Sequence, residues 1–146
     1  MPGFNDIIDD LVTALRSNTA LNNFCKEKWG RIPIVKKMFK FRTEIQISDL
    51  PLIFVTRPDK KSQDVAIGGD REHENTVRLY CGFHQLNRDV GQEEMIEFEE
   101  LTDDAVLLDR KRNNLAFDTN VTTTVTDEGY FHPVYFVVKD VLIINY

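Results

Sequence analysis

Two adjoining stretches decide the fold: residues 77–84, VRLYCGFH, and residues 89–109, DVGQEEMIEFEELTDDAVLLD. The first stretch has the period-two pattern of a half-buried strand, with apolar residues at Val77, Leu79, Cys81 and Phe83. The second has apolar residues at three- and four-residue spacings on an acidic background, which is typical of a long amphipathic helix. This apolar stripe consists of Met95, Phe98, Leu101, Ala105 and Leu108. The sequence therefore predicts a strand followed by a helix whose opposite face is anionic and solvated.

Two helices are predicted before this pair of elements. Asn5 is a good helix cap, and the apolar residues after it repeat at helical spacing as far as residue 16. Ser17-Asn18-Thr19 breaks that pattern and can cap a second, short helix. Trp29-Gly30 ends the second helix, because glycine suits the position just after a helix C-terminus.

Further strands are predicted on both sides of the 77–84 strand. Residues 39–47 alternate between apolar and polar, as a half-buried strand does. Pro51 forces Leu50 out of the helical region, and the continuous apolar run 52–55 predicts a strand covered on both faces. At the end of the chain, the pattern predicts a strand at 121–125, a hairpin turn at Asp127-Glu128-Gly129 and a long last strand over Val134 to Tyr146.

Residues 58–75 are predicted to form one long polar loop with Gly68-Gly69 near its middle. They include few apolar residues, and a loop of this length in a compact domain is usually functional or disordered.

The predicted order of elements is helix, helix, strand, strand, strand, helix, strand, strand. At 146 residues and 17.0 kDa, the chain has the size of one domain, and two independent cores would be cramped. We therefore expect a single α+β domain over residues 1–146, with a largely antiparallel sheet of four to five strands and the helices packed on one face.

Charge is distributed unevenly along the chain. Its 24 acidic and 18 basic residues give a net charge of -6, which disfavours a protein that coats nucleic acid. Seven bases and one acid lie between Lys26 and Arg42, whereas nine acids and no base lie between Asp89 and Asp109. Two different, complementary patches on one molecule are what a head-to-tail contact requires.

Reactive chemistry is thinly represented. The three histidines, His73, His84 and His132, lie in unrelated surroundings, and Cys25 and Cys81 are predicted to be buried, reduced thiols. Glu72-His73-Glu74 cannot all converge on one ion without a special turn, because consecutive residues of an extended segment point to alternate sides. We predict no catalytic residue, cofactor or metal.

The longest strongly apolar stretch is far short of the ~20 residues that cross a bilayer, and the N-terminus lacks the pattern of a secretory signal, so no membrane partner is expected.

Four segments, taken together, resemble the tail terminator (tail completion) proteins of long-tailed bacteriophages, of the minor tail protein U type and its Mu-like prophage relatives. They are the N-terminal helix over residues 5–12, the segment Asp49-Leu50-Pro51-Leu52-Ile53-Phe54-Val55, the alternating strand 77–83 before a long helix, and the closing strand over residues 136–144. The chain departs from that pattern in its basic stretch after the second helix and in a short extra run at 110–118.

The resemblance implies a small subunit that forms a ring, usually a hexamer, on the end of the tail tube. The ring stops tube polymerisation and presents the surface to which the filled head attaches, without catalysing a reaction. Its partners would be other copies of itself, the tail tube protein and the head-closure or connector protein, in the virion tail and, during assembly, in the host cytoplasm. Under this interpretation the subunit or tube contacts would be made by Lys36, Lys37, Lys40, Lys60, Lys61, Asp70, Arg71, Glu97, Glu99 and Glu100.

Three other interpretations remain open at this stage. A head–tail connector or head-closure protein differs mainly in the partner it binds. If the chain is a small cytosolic enzyme that uses the acidic helix, we expect a deep pocket beside Glu97 and Glu100. If it is a nucleic-acid module, we expect DNA binding that weakens steeply with added salt.

Overall fold

The computed structural model describes residues 3–40, 44–64 and 71–145, which form three α-helices and five strands. Their order along the chain is the predicted one. The elements are α1 (Phe4–Ser17), α2 (Thr19–Trp29), β1 (Ile34–Lys36), β2 (Leu52–Asp64), β3 (Arg71–His84), α3 (Arg88–Leu107), β4 (Asp118–Thr126) and β5 (Val134–Asn145).

The five strands form one mixed sheet in the order β1-β2-β3-β5-β4. β1 is parallel to β2, and the other three pairs are antiparallel. At the centre of the sheet Leu79 of β3 lies between Val55 of β2 and Lys139 of β5. The predicted α+β class and mostly antiparallel sheet are confirmed.

The ends of α1 and α2 are defined by local hydrogen bonds. Asn18 accepts a hydrogen bond from the Leu21 amide at 2.9 Å, and Gly30 ends α2 with φ of 83° while its amide donates to the Lys26 carbonyl. These are the boundaries the sequence predicted for α2. At α1 the cap is Gly3, whose amide donates to the Asp6 carboxylate, so the prediction that Asn5 caps this helix was wrong by two residues.

One apolar cluster joins the three helices to the sheet. It contains the predicted stripe of α1 and buried residues of every strand except β4. At its centre the ring of Trp29 stacks on Phe83 with 4.5 Å between ring centroids, and Phe98 of α3 lies edge-on to Trp29 at 5.1 Å. Aromatic pairs of this geometry add to the stabilisation from burial, so this contact ties α2 and α3 to β3.

The strand predicted at 39–47 was wrong. The strand beside β2 is Ile34–Lys36, and Ile47–Asp49 forms a single 3-10 turn, with the Gln46 amide donating to the Asp49 carboxylate at 2.8 Å. Phe39, predicted to be core, has 55% of its surface exposed. The described apolar side chains of this segment contact the sheet without their backbone joining it: the ring of Phe39 lies 5.9 Å from that of Tyr80, and Ile45 packs against Leu50, Leu52 and Phe54. Residues 41–43 lie outside the described residues.

The long loop predicted at 58–75 was also wrong. β2 extends to Asp64 and β3 begins at Arg71, and their backbones pair along the whole arm. The Ser62 hydroxyl and His73 Nδ1 lie 2.8 Å apart across the pair. Period-two hydropathy is missing here because every residue of this arm, 59–64 and 71–76, is polar, including the buried Asn75, whose side-chain amide donates a hydrogen bond to Asn145. Gly68-Gly69, with the rest of residues 65–70, falls outside the described ranges.

The remaining elements follow the predictions with local differences. Leu108, predicted to belong to the buried stripe of α3, lies beyond the helix end and is 82% exposed. The β4–β5 connection turns over residues 127–133 and is longer than the predicted hairpin turn; Asp127 accepts hydrogen bonds from the Gly129 and Phe136 amides. The last strand is described to Asn145, so Tyr146 is outside the description.

Cys25 and Cys81 are both buried and free, as predicted. Burial raises the pKa of each thiol to about 12, because the apolar surroundings disfavour the thiolate. Among the described residues, no helix combines the length and apolar character that crossing a membrane requires.

Replacement of Gly91 tests the packing of α3 on β5. A β-carbon at Gly91 would lie 2.5 Å from Cζ of Tyr135, whose hydroxyl is held by His132 Nδ1 at 2.8 Å. We expect Gly91→Ala to lower the free energy of unfolding by about 1–2 kcal/mol, because this overpacking outweighs the better helix propensity of alanine. Urea unfolding followed by circular dichroism measures this. Gln92→Ala, at the exposed neighbouring position, should change little, and a Gly91→Ala protein more stable than wild type would contradict the packing.

The buried thiols predict loss of stability in alkali. Above the ordinary thiol pKa of 9.0 the unfolded chain loses two protons that the folded chain keeps until about pH 12. The free energy of unfolding should therefore fall as pH rises from 9.0, by up to about 1.4 kcal/mol per pH unit per thiol. Urea unfolding at about pH 8 and about pH 10 should show a smaller drop for the Cys25→Ala/Cys81→Ala protein than for wild type. Equal drops would contradict the assignment.

Candidate protein-interaction site

The outward side of α3 has a row of carboxylates, which we call the acidic stripe. It consists of Glu93, Glu97, Glu100 and Asp104, all exposed and separated by four, three and four residues. Like charges at these helical spacings repel and destabilise a helix by about 0.2–0.5 kcal/mol per pair. Ile96, 45% exposed, lies on the same side of the helix. The stripe therefore presents negative charge together with an apolar side chain.

Two other acids of α3 face β5, where they pair with a buried lysine. Lys139 is fully buried, and its Nζ lies 2.6 Å from Oε2 of Glu99 and 2.7 Å from Oδ1 of Asp103. Lys139 also donates a hydrogen bond to the Thr124 hydroxyl at 3.1 Å. Glu99, predicted as an interface residue, is thus engaged within its own chain. The sequence signal for this cluster is Lys139, which together with Asp140 interrupts the apolar run of β5.

Glu94 is buried as well, which corrects the prediction that the acids of this helix all lie on a solvated face. Its exposed fraction is 5%, and it accepts hydrogen bonds from Trp29 Nε1 at 2.6 Å and Gln85 Nε2 at 2.7 Å. Both donors lie outside α3, so hydropathy within the helix could not reveal this bond. The carboxylate instead links α3 to the end of α2 and to the segment after β3.

A cavity of about 590 Å³ lies between the start of α1 and the edge of β2. We call it the basic groove and define it by the cations and the exposed or half-buried large apolar residues of its lining, Phe4, Lys37, Met38, Phe39, Arg57 and Lys60. Lys37 and Lys60 were predicted as interface residues; the other four were not. The groove joins three cations to three large apolar side chains.

The groove exists because β1 is short. β1 pairs only with Leu52–Phe54, and the chain leaves the sheet after Lys36. From Val55 onward, no described strand lies on this side of β2. Pro58 has no amide hydrogen to donate, and the strand is irregular between Thr56 and Asp59. Proline, lysine and bulges at an edge disfavour the addition of another strand, so this surface is suited to side-chain contacts.

The cations of the groove differ in their partners. Arg57 lies over the ring of Phe4, with its guanidinium carbon 5.0 Å from the ring centroid, a cation–π arrangement. Lys37 Nζ is 2.6 Å from the Asp9 carboxylate in an exposed ion pair, a kind that contributes little net stability. Lys60 is exposed. Positive charge therefore remains available at the groove.

The other predicted interface residues are dispersed. Lys36 is exposed at the end of β1, and Lys40 pairs with Asp49 at 2.9 Å. The pKa of Asp49 is lowered by the Gln46 amide first and by Lys40 second. Lys61 and Arg71 lie on β2 and β3, where their backbones pair with Glu74 and Asp64, and Asp70 lies outside the described residues. Glu97 and Glu100 belong to the acidic stripe.

Within the described ranges, no three histidine, cysteine or acidic side chains are arranged to hold a metal ion. His73 contacts Ser62, His132 contacts Tyr135, and His84 lines a smaller cavity near Trp29.

Comparisons with protein-family models and with curated proteins find no match for this chain.

The buried cluster at Lys139 predicts a strong difference between removing its anions and removing its cation. The double variant Glu99→Gln/Asp103→Asn leaves a buried cation without a counter-charge, which costs about 3–5 kcal/mol of unfolding free energy. Lys139→Met replaces the cation with an apolar side chain and should cost much less, because the carboxylates it leaves unpaired, Glu99 and Asp103, keep 22% and 30% of their side-chain surface in contact with water. Urea unfolding measures both, with Glu97→Gln/Glu100→Gln as an exposed control. Equal effects of the first double variant and this control would contradict the cluster.

Proposed function

We propose that this chain is a structural subunit of a phage particle. It assembles into a ring of six copies at the end of the tail tube, stops tube polymerisation and provides the surface to which the head joins. Its partners are other copies of itself, the tail tube protein and the head-closure or connector protein. It acts in the host cytoplasm during assembly and in the virion tail afterwards, and it catalyses no reaction.

The observation that carries this proposal is the separation of two complementary surfaces on one chain. The acidic stripe lies on α3, whereas the basic groove lies between α1 and β2. A contact between two different surfaces is heterologous, and repeated copies of it close into a ring when the rotation between subunits allows. A ring subunit needs this arrangement, whereas an enzyme does not.

The arrangement of the core supports the finer architecture expected for such a subunit, with the helices on one face of the sheet. The buried residues of all three helices share a cluster with Ile53, Leu79 and Val137. A separate cluster is formed by Leu50, Leu52 and Phe54. Because successive residues of a strand face opposite sides, we infer that the helices cover one face only.

The alternative functions are less well supported by the positions of the charges. Catalytic carboxylates normally require burial or a shaped cleft, but Glu97 and Glu100 are exposed on a helix surface. The acidic stripe would repel nucleic-acid phosphates. A connector or head-closure protein could use the same surfaces, and only the identity of its partner separates it from a tail terminator.

Purified protein tests the proposal in two ways. Light scattering and negative-stain electron microscopy should show rings, either of the free protein or on added tail tubes of a long-tailed phage. Association should weaken as ionic strength rises, because exposed charges are screened beyond ~8–10 Å in ordinary buffer. Pull-down should recover tail tubes and not portal complexes. Protein that stays monomeric alone and with tubes would overturn the proposal, and preference for portals would favour the connector.

A further inference from the structure

We propose that the basic groove of one copy binds the acidic stripe on α3 of a second copy, with Ile96 against Phe39 and Met38. This rests on the proposed ring and names the surfaces that form its repeating contact. The partner is therefore a second copy of this chain, bound as a helix laid along a groove.

The acidic stripe is the kind of helix surface that a neighbouring subunit would cover on assembly. Its four carboxylates repel one another, and the sequence between Asp89 and Asp109 supplies no base to compensate them. Three other acids of α3, Glu94, Glu99 and Asp103, have partners within the chain and point elsewhere. From Glu93 to Asp104 the stripe runs along about 17 Å of helix at ~1.5 Å per residue, so it can lie along a groove. Counter-charge from a neighbouring subunit would remove the repulsion.

The groove offers that counter-charge in a matching form. Arg57 and Lys60 are both exposed, and Phe39 and Met38 present apolar surface beside them. Interfaces combine apolar anchors with charged surroundings in this way. Pro58 and the irregular backbone at the open edge of β2 disfavour an added strand, which leaves a helix as the better occupant.

Charge exchange tests the pairing directly. One variant reverses the groove, Arg57→Glu/Lys60→Glu, and a second reverses the stripe, Glu97→Lys/Glu100→Lys. Each alone should associate at least about tenfold more weakly than wild type, because like charges then meet. An equimolar mixture should recover association to within about threefold of wild type, since each variant supplies the surface that the other needs. Association is measured by light scattering, and on added tail tubes if the free protein is monomeric.

Two controls isolate the contact. Lys26→Glu/Lys28→Glu changes net charge as much as the groove reversal does, but at exposed residues of α2 outside the groove, and should associate like wild type. Lys60→Glu alone repeats the groove test without disturbing the contact of Arg57 with Phe4. Circular dichroism verifies that each variant is folded.

Each outcome decides between the proposals. Loss of association in each reversed protein with recovery in the mixture supports the groove–stripe contact. If the reversed proteins assemble as wild type does, or if their mixture fails to recover, the contact is overturned while the ring function stands. If wild type itself never assembles, alone or on tubes, both proposals fail. Equal loss in the Lys26→Glu/Lys28→Glu control would show an effect of net charge and would also overturn the contact.

Discussion

The ammonium group of Lys139 lies inside the protein, between the carboxylates of Glu99 and Asp103. Burying a charge costs several kcal/mol unless counter-charges are held in place. Helix α3 therefore cannot rotate or slide against β5 without exposing the cation to an apolar interior. The two carboxylates are four residues apart and lie on one side of α3. Their position fixes the rotation of the helix, and this rotation directs Glu97 and Glu100 away from the sheet.

Much of the fold could be predicted from the sequence, because burial on one side leaves a periodic signal. The stripe of α1, the stripe of α3 and the alternation in β3 all arise in this way. The prediction of strands failed where the order of polar and apolar residues along the chain does not reflect burial on one side. The β2–β3 arm consists of polar residues, and even its buried Asn75 is polar, so its pairing left no hydropathy period. At 39–47 the alternation was present, but Phe39 and Ile45 pack on side chains of the sheet while their own backbone is not part of a strand.

The candidate site could be predicted only as charged segments, because which charges stay unpaired is a tertiary property. Glu94 and Glu99 are engaged by Trp29 and Lys139, which lie 65 and 40 residues away in the chain. The groove likewise depends on contacts between distant segments. Phe4 and Arg57 meet only because α1 packs beside the part of β2 that β1 leaves open.

Trp29 is the only tryptophan of the chain. Its indole stacks on Phe83 and donates a hydrogen bond to Glu94, at the meeting point of α2, α3 and β3. Its fluorescence should therefore respond when water reaches this meeting point, as it does when the subunit unfolds. Intrinsic emission would thus report the melting of a subunit without an attached dye.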